Sequence, residues 1–388
     1  MKSRMIKTTL ALSLAACSQI SFGAYTAVNG VATRAQSMQA FVGVADDPSA
    51  IFYNPAGITQ VKGTQVDASG VVLFTDQDYK NSALPSNPST TSKQIPYGAN
   101  VFMTTDTVSS VHLGVGIYAP FARDSKYDVN AATYGMKHLA TITRIDLAPT
   151  LAMDINEYVS VGLGPVLSYV TERSSIMGIY TKGKGQGYTG QAGVLFKLPH
   201  QIKIGLSYLG KEHSRTTGNG EMTGSNDAYT MYLNFPDIYR IGASWQINEK
   251  WFVSAGYELE GWSYLKNVKY DYTDPTLAAF GQITVDGKDS SNFRFGVDFK
   301  LDENNEFMAG YSYVEAAIPT DYIIPAKPDY NVNYFSLGYS HYMDAWRFDA
   351  GYEFGVSSTR ETSSAFFPGD YDVQVSCFSL GVSYNFDK

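Results

Sequence analysis

The sequence predicts an all-β protein: a transmembrane antiparallel β-barrel of about fourteen strands with an N-terminal hatch inside the lumen. Three observations predict it. Apolar and polar residues alternate with period two in segment after segment, and the connections between these segments alternate long and short. The composition is the third, since 388 residues include 29 Tyr, 21 Phe and 35 Gly but only 15 Pro. Aromatic excess suits the girdles of a barrel at the two membrane interfaces. No run of about 18 apolar residues follows the first segment, which excludes a helical membrane protein.

The alternation is explicit in three places. Phe293, Phe295, Val297, Phe299 and Leu301 point one way, and Asn292, Arg294, Gly296, Asp298 and Lys300 the other. Trp251, Val253, Ala255, Tyr257 and Leu259 form a second such face, and Trp346, Phe348, Ala350, Tyr352 and Phe354 a third. Strands are expected near 64–75, 95–105, 108–119, 138–155, 157–173, 186–198, 201–213, 227–247, 250–265, 290–301, 305–315, 330–342, 346–357 and 373–386. Long connections fall near 76–94, 120–137, 174–185, 214–226, 266–289, 316–329 and 358–372, with tight turns at 156, 199–200, 248–249, 302–304 and 343–345. A soluble sandwich has no reason to sort its connections by length, whereas extracellular loops and periplasmic turns do. The first strand is therefore expected to run outward and the last to end at the periplasmic rim. Phe378, Leu380, Val382, Tyr384 and Phe386 alternate to the end, as a substrate of the barrel-insertion machinery would, although Asp387 and Lys388 follow the last aromatic.

The N-terminus reads as an export signal. Lys2, Arg4 and Lys7 precede the apolar run Leu10 to Ala16, and Ser21, Gly23 and Ala24 suit a signal-peptidase site. The expected organisation is a signal peptide at 1–23, a hatch at 24–63 and a barrel at 64–388. Leu14-Ala15-Ala16-Cys17 also fits a lipoprotein pattern, so acylation of Cys17 stays open. Removing the signal takes away three positive charges and moves the net charge from −8 to −11, which excludes a nucleic-acid binder. Cys377 is then alone, and no internal disulfide is possible.

Eight strands fill their own lumen with side chains and about sixteen leave an aqueous channel, so about fourteen leave a hole that needs filling. Residues 24–63 lack strong alternation and are rich in Ala32, Ala35, Ala40, Gly43, Ala45, Ser49 and Ala50, yet Ile51, Phe52, Tyr53, Ile58 and Val61 are too apolar for a disordered tail. Within this segment, Arg34-Ala35 and Val44-Ala45-Asp46-Asp47-Pro48-Ser49-Ala50-Ile51-Phe52-Tyr53-Asn54-Pro55-Ala56-Gly57-Ile58-Thr59 resemble the N-terminal hatch of the FadL family of outer-membrane transporters for long-chain fatty acids and other hydrophobic compounds. Two further patches resemble that family: Tyr118-Ala119-Pro120-Phe121 followed by Tyr127, like the end of its third strand, and Tyr232-Leu233-Asn234-Phe235-Pro236 leading to Gly242 and Trp251, like its mid-barrel strand.

The resemblance implies capture of substrate at the outer loops, passage into an apolar lumenal pocket and lateral exit at a kink in the third strand. Ala119, Pro120 and Phe121 are the kink candidates, because proline cannot donate to a ladder and belongs at a strand end, bulge or gap. The stiff turn Asn54-Pro55-Ala56 is the hatch motif, expected beside that kink. Of the inward-facing charges Arg144, Asp146, Arg294, Asp298, Lys300, Arg347, Asp349 and Glu353, most read as a solvated, mutually paired lumen lining, and one or two of the arginines, with Arg144, Arg294 and Arg347 as candidates, offer a bidentate fork to a carboxylate head group.

His112, His138, His200, His213 and His341 sit in no HxxxH, HExxH or GxSxG setting, so neither an enzyme nor a metal or other cofactor is expected. The predicted partners are a long-chain fatty acid or other hydrophobic small molecule, outer-membrane lipid and lipopolysaccharide, and the insertion machinery, with no nucleic acid and a monomeric state. The expected place is the outer membrane of a Gram-negative bacterium. The alternatives are a surface adhesin or receptor using the same scaffold, and a general porin, against which the plug argues.

Overall fold

In a computed structural model, residues 30–107 and 110–388 are described; the signal peptide, the 24–29 part of the hatch and Cys17 lie outside them. Strand β1 (Gln65–Asn81) pairs antiparallel with β14 (Gly369–Asn385) from Gln65↔Asn385 to Asn81↔Gly369, which closes the sheet on itself. Between them run β2 (Ser89–Gln94 and Tyr97–Asp106), β3 (Val111–Tyr127), β4 (His138–Asn156), β5 (Val159–Ile176), β6 (Ile179–Leu198), β7 (Ile202–Leu209 and Glu212–Met222) and β8 (Ser225–Phe235 and Ile238–Gln246). The circuit continues through β9 (Trp251–Glu260), β10 (Ser290–Lys300), β11 (Asn305–Val314), β12 (Val332–Met343) and β13 (Trp346–Ser357). Each of these strands pairs antiparallel with its sequence neighbours.

The predicted fourteen-strand barrel is therefore the observed one, and its faces are those the alternation assigns. Phe295 is 52% exposed and Leu380 70%, while Arg294 at 6% and Asp298 at 3% turn inward. Two loops differ from expectation. The segments 174–185 and 214–226 are not long connections; Met177-Gly178 and Thr223-Gly224 are tight turns between strands that continue past the membrane. Met177 at φ 51 and Gly178 at φ 81 both occupy the left-handed region that a two-residue hairpin turn of this kind needs. The reason for the misreading is physical. Beyond Tyr188, the outward positions of β6 are Gln186, Lys184 and Lys182, because no lipid there demands an apolar face.

Residues 30–63 occupy the interior. Helix α1 (Thr33–Met38) is buried at all six positions and packs on β1 and on β10 to β14. Helix α2 (Ala50–Tyr53) meets β3, and the 3-10 turn Pro55–Gln60 packs on β3 to β6. The hatch approaches the wall closely because glycines face it at one level around the barrel. Gly162 pairs with Gly193, Gly205 with Gly242, Gly296 with Gly310 and Gly338 with Gly351. A Cβ on Gly296 would stand 2.2 Å from the Met38 carbonyl oxygen, one on Gly205 2.2 Å from that of Val42, and one on Gly162 2.4 Å from the Pro55 carbonyl carbon. Backbone thus docks on backbone.

Overpacking at such a seat costs on the order of 1–3 kcal/mol or more, since the obstructing atoms are main chain. Gly296→Val is expected to unseat the hatch and raise single-channel conductance in planar bilayers above the wild-type level, with a smaller rise for Gly256→Ala, whose Cβ would meet nothing nearer than 3.5 Å.

Candidate functional site: a bulged third strand above a charged hatch

Strand β3 is irregular where Ala119-Pro120-Phe121 was expected to end it. Its pairing with β4 runs to Tyr118↔Asp146 and resumes at Phe121↔Arg144, so Ala119 and Pro120 stand opposite a single residue. Pairing with β2 stops at Val101↔Ile117, and from Tyr118 outward the ladder of β3 is with β4. The proline accounts for part of this, having no N–H to give. The Ala119 N–H donates instead to the side-chain oxygen of Asn100 on β2 at 3.1 Å. Pro120 thus lies within a strand that continues to Tyr127 rather than at the start of a loop. Tyr118 stacks on Phe102 at 5.4 Å and meets Phe52 of the hatch edge-on at 5.2 Å.

The hatch turn is held elsewhere. The Asn54 amide donates to the carbonyls of Val42 at 3.2 Å and Val194 on β6 at 3.1 Å, and its oxygen accepts from the Ala56 N–H at 3.2 Å. Pro55 lies against Gly162 and Gly193. Asn54-Pro55-Ala56 therefore sits on β5 and β6, and Phe52 is the hatch residue that reaches the bulge.

The three candidate arginines are each engaged by carboxylates of the chain. Arg144, fully buried, forks onto Asp146 at 2.7 and 2.8 Å and contacts Glu212 at 2.8 Å. Arg294 binds Glu258 at 2.9 Å, and Arg240 binds the other oxygen of the same group. Arg347 meets Asp47 of the hatch at 3.2 Å, Asp67 at 2.8 Å and Asp349 at 3.0 Å. Arg34 of the hatch is ringed by Asp46, Asp47, Asp298 and Glu306. The Arg347–Asp47 pair and the Arg34 contacts with Asp298 and Glu306 tie the hatch to the wall across long sequence separations. Arg144 faces two carboxylates and Arg347 three.

The lumen changes character on either side of the hatch. Below it, a vestibule of about 1590 Å³ opens among the periplasmic turns and is lined by Arg34, Asp46, Lys197, Lys203, Asp298 and Glu306. Above it, Leu209, Met231, Leu233, Phe235, Ile238, Trp262 and Leu265 belong to one buried apolar cluster. The loop 315–331 folds into this upper space, burying Ile318, Ile323, Ala326 and Tyr330. Arg123 and Ser125, beyond the bulge, hold it through the carbonyls of Pro328 at 3.0 Å and Pro325 at 2.9 Å. The loop brings Lys327 inside. Burial, with the neighbouring Arg123 guanidinium adding to it, pushes the Lys327 ammonium down to about 7, against the opposing pull of Glu172. That carboxylate is already bound to Tyr229 and Thr181. Lys327 and Arg123 did not stand out in the sequence, because nothing local marks a loop lysine that folds inward.

Removing one partner of a buried ion cluster costs about 3–5 kcal/mol, because the remaining charges stay buried without compensation. Arg347→Met is expected to lower the unfolding temperature of the purified barrel, followed by its heat-modifiable gel mobility, and Arg347→Lys to recover part of the loss.

Comparisons place this architecture. The family model described as outer membrane protein transport protein (OMPP1/FadL/TodX) matches residues 13–175 and 170–386. No curated sequence matches the chain. Among solved structures, a Pseudomonas aeruginosa FadL homologue is similar with a TM-score of 0.80 at 15% identity, covering 93% of this chain and 99% of that one. The P. putida toluene transporter TodX is similar with a TM-score of 0.69 at 14% identity over 90% of this chain and 99% of its own. The Ralstonia pickettii toluene transporter TbuX gives 0.69 at 15% identity, over 92% and 99%. The fold is common to all three. With the family model spanning nearly the whole barrel, the chain belongs to the OMPP1/FadL/TodX family of outer-membrane transport proteins.

Proposed function

We propose that this protein takes up long-chain fatty acids, or apolar molecules of similar build, and releases them sideways into the outer membrane between β2 and β3. The observation that carries the reading is the end of β2–β3 pairing at Val101↔Ile117, next to the bulge at Ala119-Pro120. Energetics support a lateral route over a straight one. Each methylene gains about 0.8 kcal/mol on leaving water, so a sixteen-carbon tail loses on the order of 12 kcal/mol if it enters a wet passage. The vestibule below the hatch is such a passage, lined by charged side chains.

A carboxylate head favours the fatty-acid form of the reading. Arg144, Arg294 and Arg347 are engaged by the chain's own acids, so the head group falls to Lys327, a cation that the loop 315–331 buries beside the upper apolar cluster. A small aromatic hydrocarbon is the second reading, supported by the likeness to toluene transporters and by the rings of Phe121, Phe235 and Trp262 in the same cluster. The hatch, residues 24–63, acts as the seal that a porin lacks.

The test is uptake of a radiolabelled long-chain fatty acid, with a labelled monoaromatic in parallel, by cells that lack their own transporter and express this chain. Fatty-acid uptake reduced by Pro120→Ala or Asn54→Ala at unchanged surface expression is the expected result, and no uptake of either ligand by an inserted barrel would sink the proposal. Lys327→Met is expected to cut fatty-acid uptake about tenfold, as loss of one charge-assisted hydrogen bond does, and to leave monoaromatic uptake unchanged. Because burial holds the Lys327 ammonium down to about 7, fatty-acid capture should fall as the pH rises through that value, and the fall should vanish in Lys327→Met.

A further inference from the structure

The patch Tyr232 to Pro236 ends at a break in β8 that has a counterpart in β7. Pairing between these strands runs through Glu212↔Phe235, skips two residues on each side, and resumes at Leu209↔Ile238. The skipped residues are Gly210 and Lys211 on one strand and Pro236 and Asp237 on the other. Their backbone groups turn to outer neighbours: the Gly210 N–H donates to the Gly190 carbonyl on β6, and the Asp237 carbonyl accepts from Gly261 beyond β9. Both strands therefore leave the smooth cylinder at one height, with Phe235 buried at the step.

Across the lumen the β3 bulge does the same from the other side. Phe121 and Phe235, on strands five apart around the wall, bring their rings to 5.0 Å. A fourteen-stranded barrel is far wider than that, so the contact exists only because both walls fold inward. Trp262 meets Phe121 edge-on at 6.1 Å, with its indole N–H donating to Glu260 at 2.9 Å. The Arg144 guanidinium lies 5.4 Å from the centre of the Phe121 ring and 5.1 Å from that of Phe235, and Asp146 and Glu212 hold it there. This aromatic septum stands directly inside the stretch of β3 that has left β2.

We propose that Phe121 and Phe235 are a gate between the upper lumen and the lateral opening, with Trp262 as its fixed post, and that the pair sets the cross-section of the molecule that leaves. This rests on the lateral route proposed above. Arg144 is a positioning residue: its fork onto Asp146 and Glu212 fixes the guanidinium, and the guanidinium fixes both ring faces. Passage requires the two rings to part, so a linear chain or a single flat ring passes with a small displacement, and a fused or branched skeleton requires a large one.

The experiment compares uptake of a single-ring and a fused two-ring hydrocarbon, both radiolabelled and uncharged, by the full-length protein in transporter-deficient cells. Phe121→Ala and Phe235→Ala are expected to raise the two-ring to single-ring ratio about tenfold, the scale on which pocket shape discriminates apolar ligands. Phe121→Trp is expected to lower the ratio below that of the wild type. Phe121→Leu and Phe235→Leu serve as milder variants should the alanine forms fail to insert, with a smaller rise expected. An unchanged ratio in inserted variants, in a protein that takes up the single-ring ligand, would overturn the gate and leave the transport reading standing. Uptake of neither hydrocarbon by an inserted wild type would overturn the gate and leave the fatty-acid reading to its own test.

Discussion

Everything in this molecule follows from a rule the membrane imposes on the main chain: each N–H and C=O at bilayer depth needs a partner within the protein. A closed antiparallel circuit meets that rule, and β1 pairs with β14 along its full length to complete it. Any departure must then bring its own partners. At the β3 bulge, Pro120 removes one donor and the Asn100 side chain accepts the other, from Ala119. The bulge is a feature that the hydrogen-bond rule tolerates because Pro120 and Asn100 dispose of two donors.

Closing so many strands into a ring creates a lumen that side chains of the wall alone do not fill. The hatch fills it by two different means at one level. Glycines of the wall let its backbone settle at contact distance, and arginines on both partners meet carboxylates on the other. The first means supplies fit and the second supplies address, because a buried ion pair is satisfied in one register and costly in others. The carboxylates that neutralise Arg347 come from the hatch, β1 and β13 together, so this one side chain fastens three separate pieces of chain.

The sequence made the lipid-facing part of this fold legible, because a strand inside a bilayer must show an apolar residue at every second position, as β10 does from Phe293 onward. Where β5 to β8 rise beyond the membrane that demand ends, and the polar run from Ser174 to Gly185 looked like a loop although it is a hairpin. Pro120 was legible as a ladder breaker, but whether it ended β3 or bent it depended on β4, which pairs again at Arg144. The inward arginines were legible as inward and paired, but not which acids they pair with, since Glu212 and Asp47 lie far from Arg144 and Arg347 in sequence. Lys327 and the meeting of Phe121 with Phe235 depend wholly on how distant segments fold across the lumen.

Strand length has a consequence for the shape of the outer mouth. Strand β6 has 20 residues, where crossing a bilayer takes about 9–11. At about 3.3 Å per residue and a tilt of roughly 40°, it reaches about 50 Å, twice the height of the apolar band. Strands β9 to β13 have only 10 to 12 residues, so the wall stands tall and polar-sided where β5 to β8 rise and low on the other side, and the outer mouth is cut obliquely.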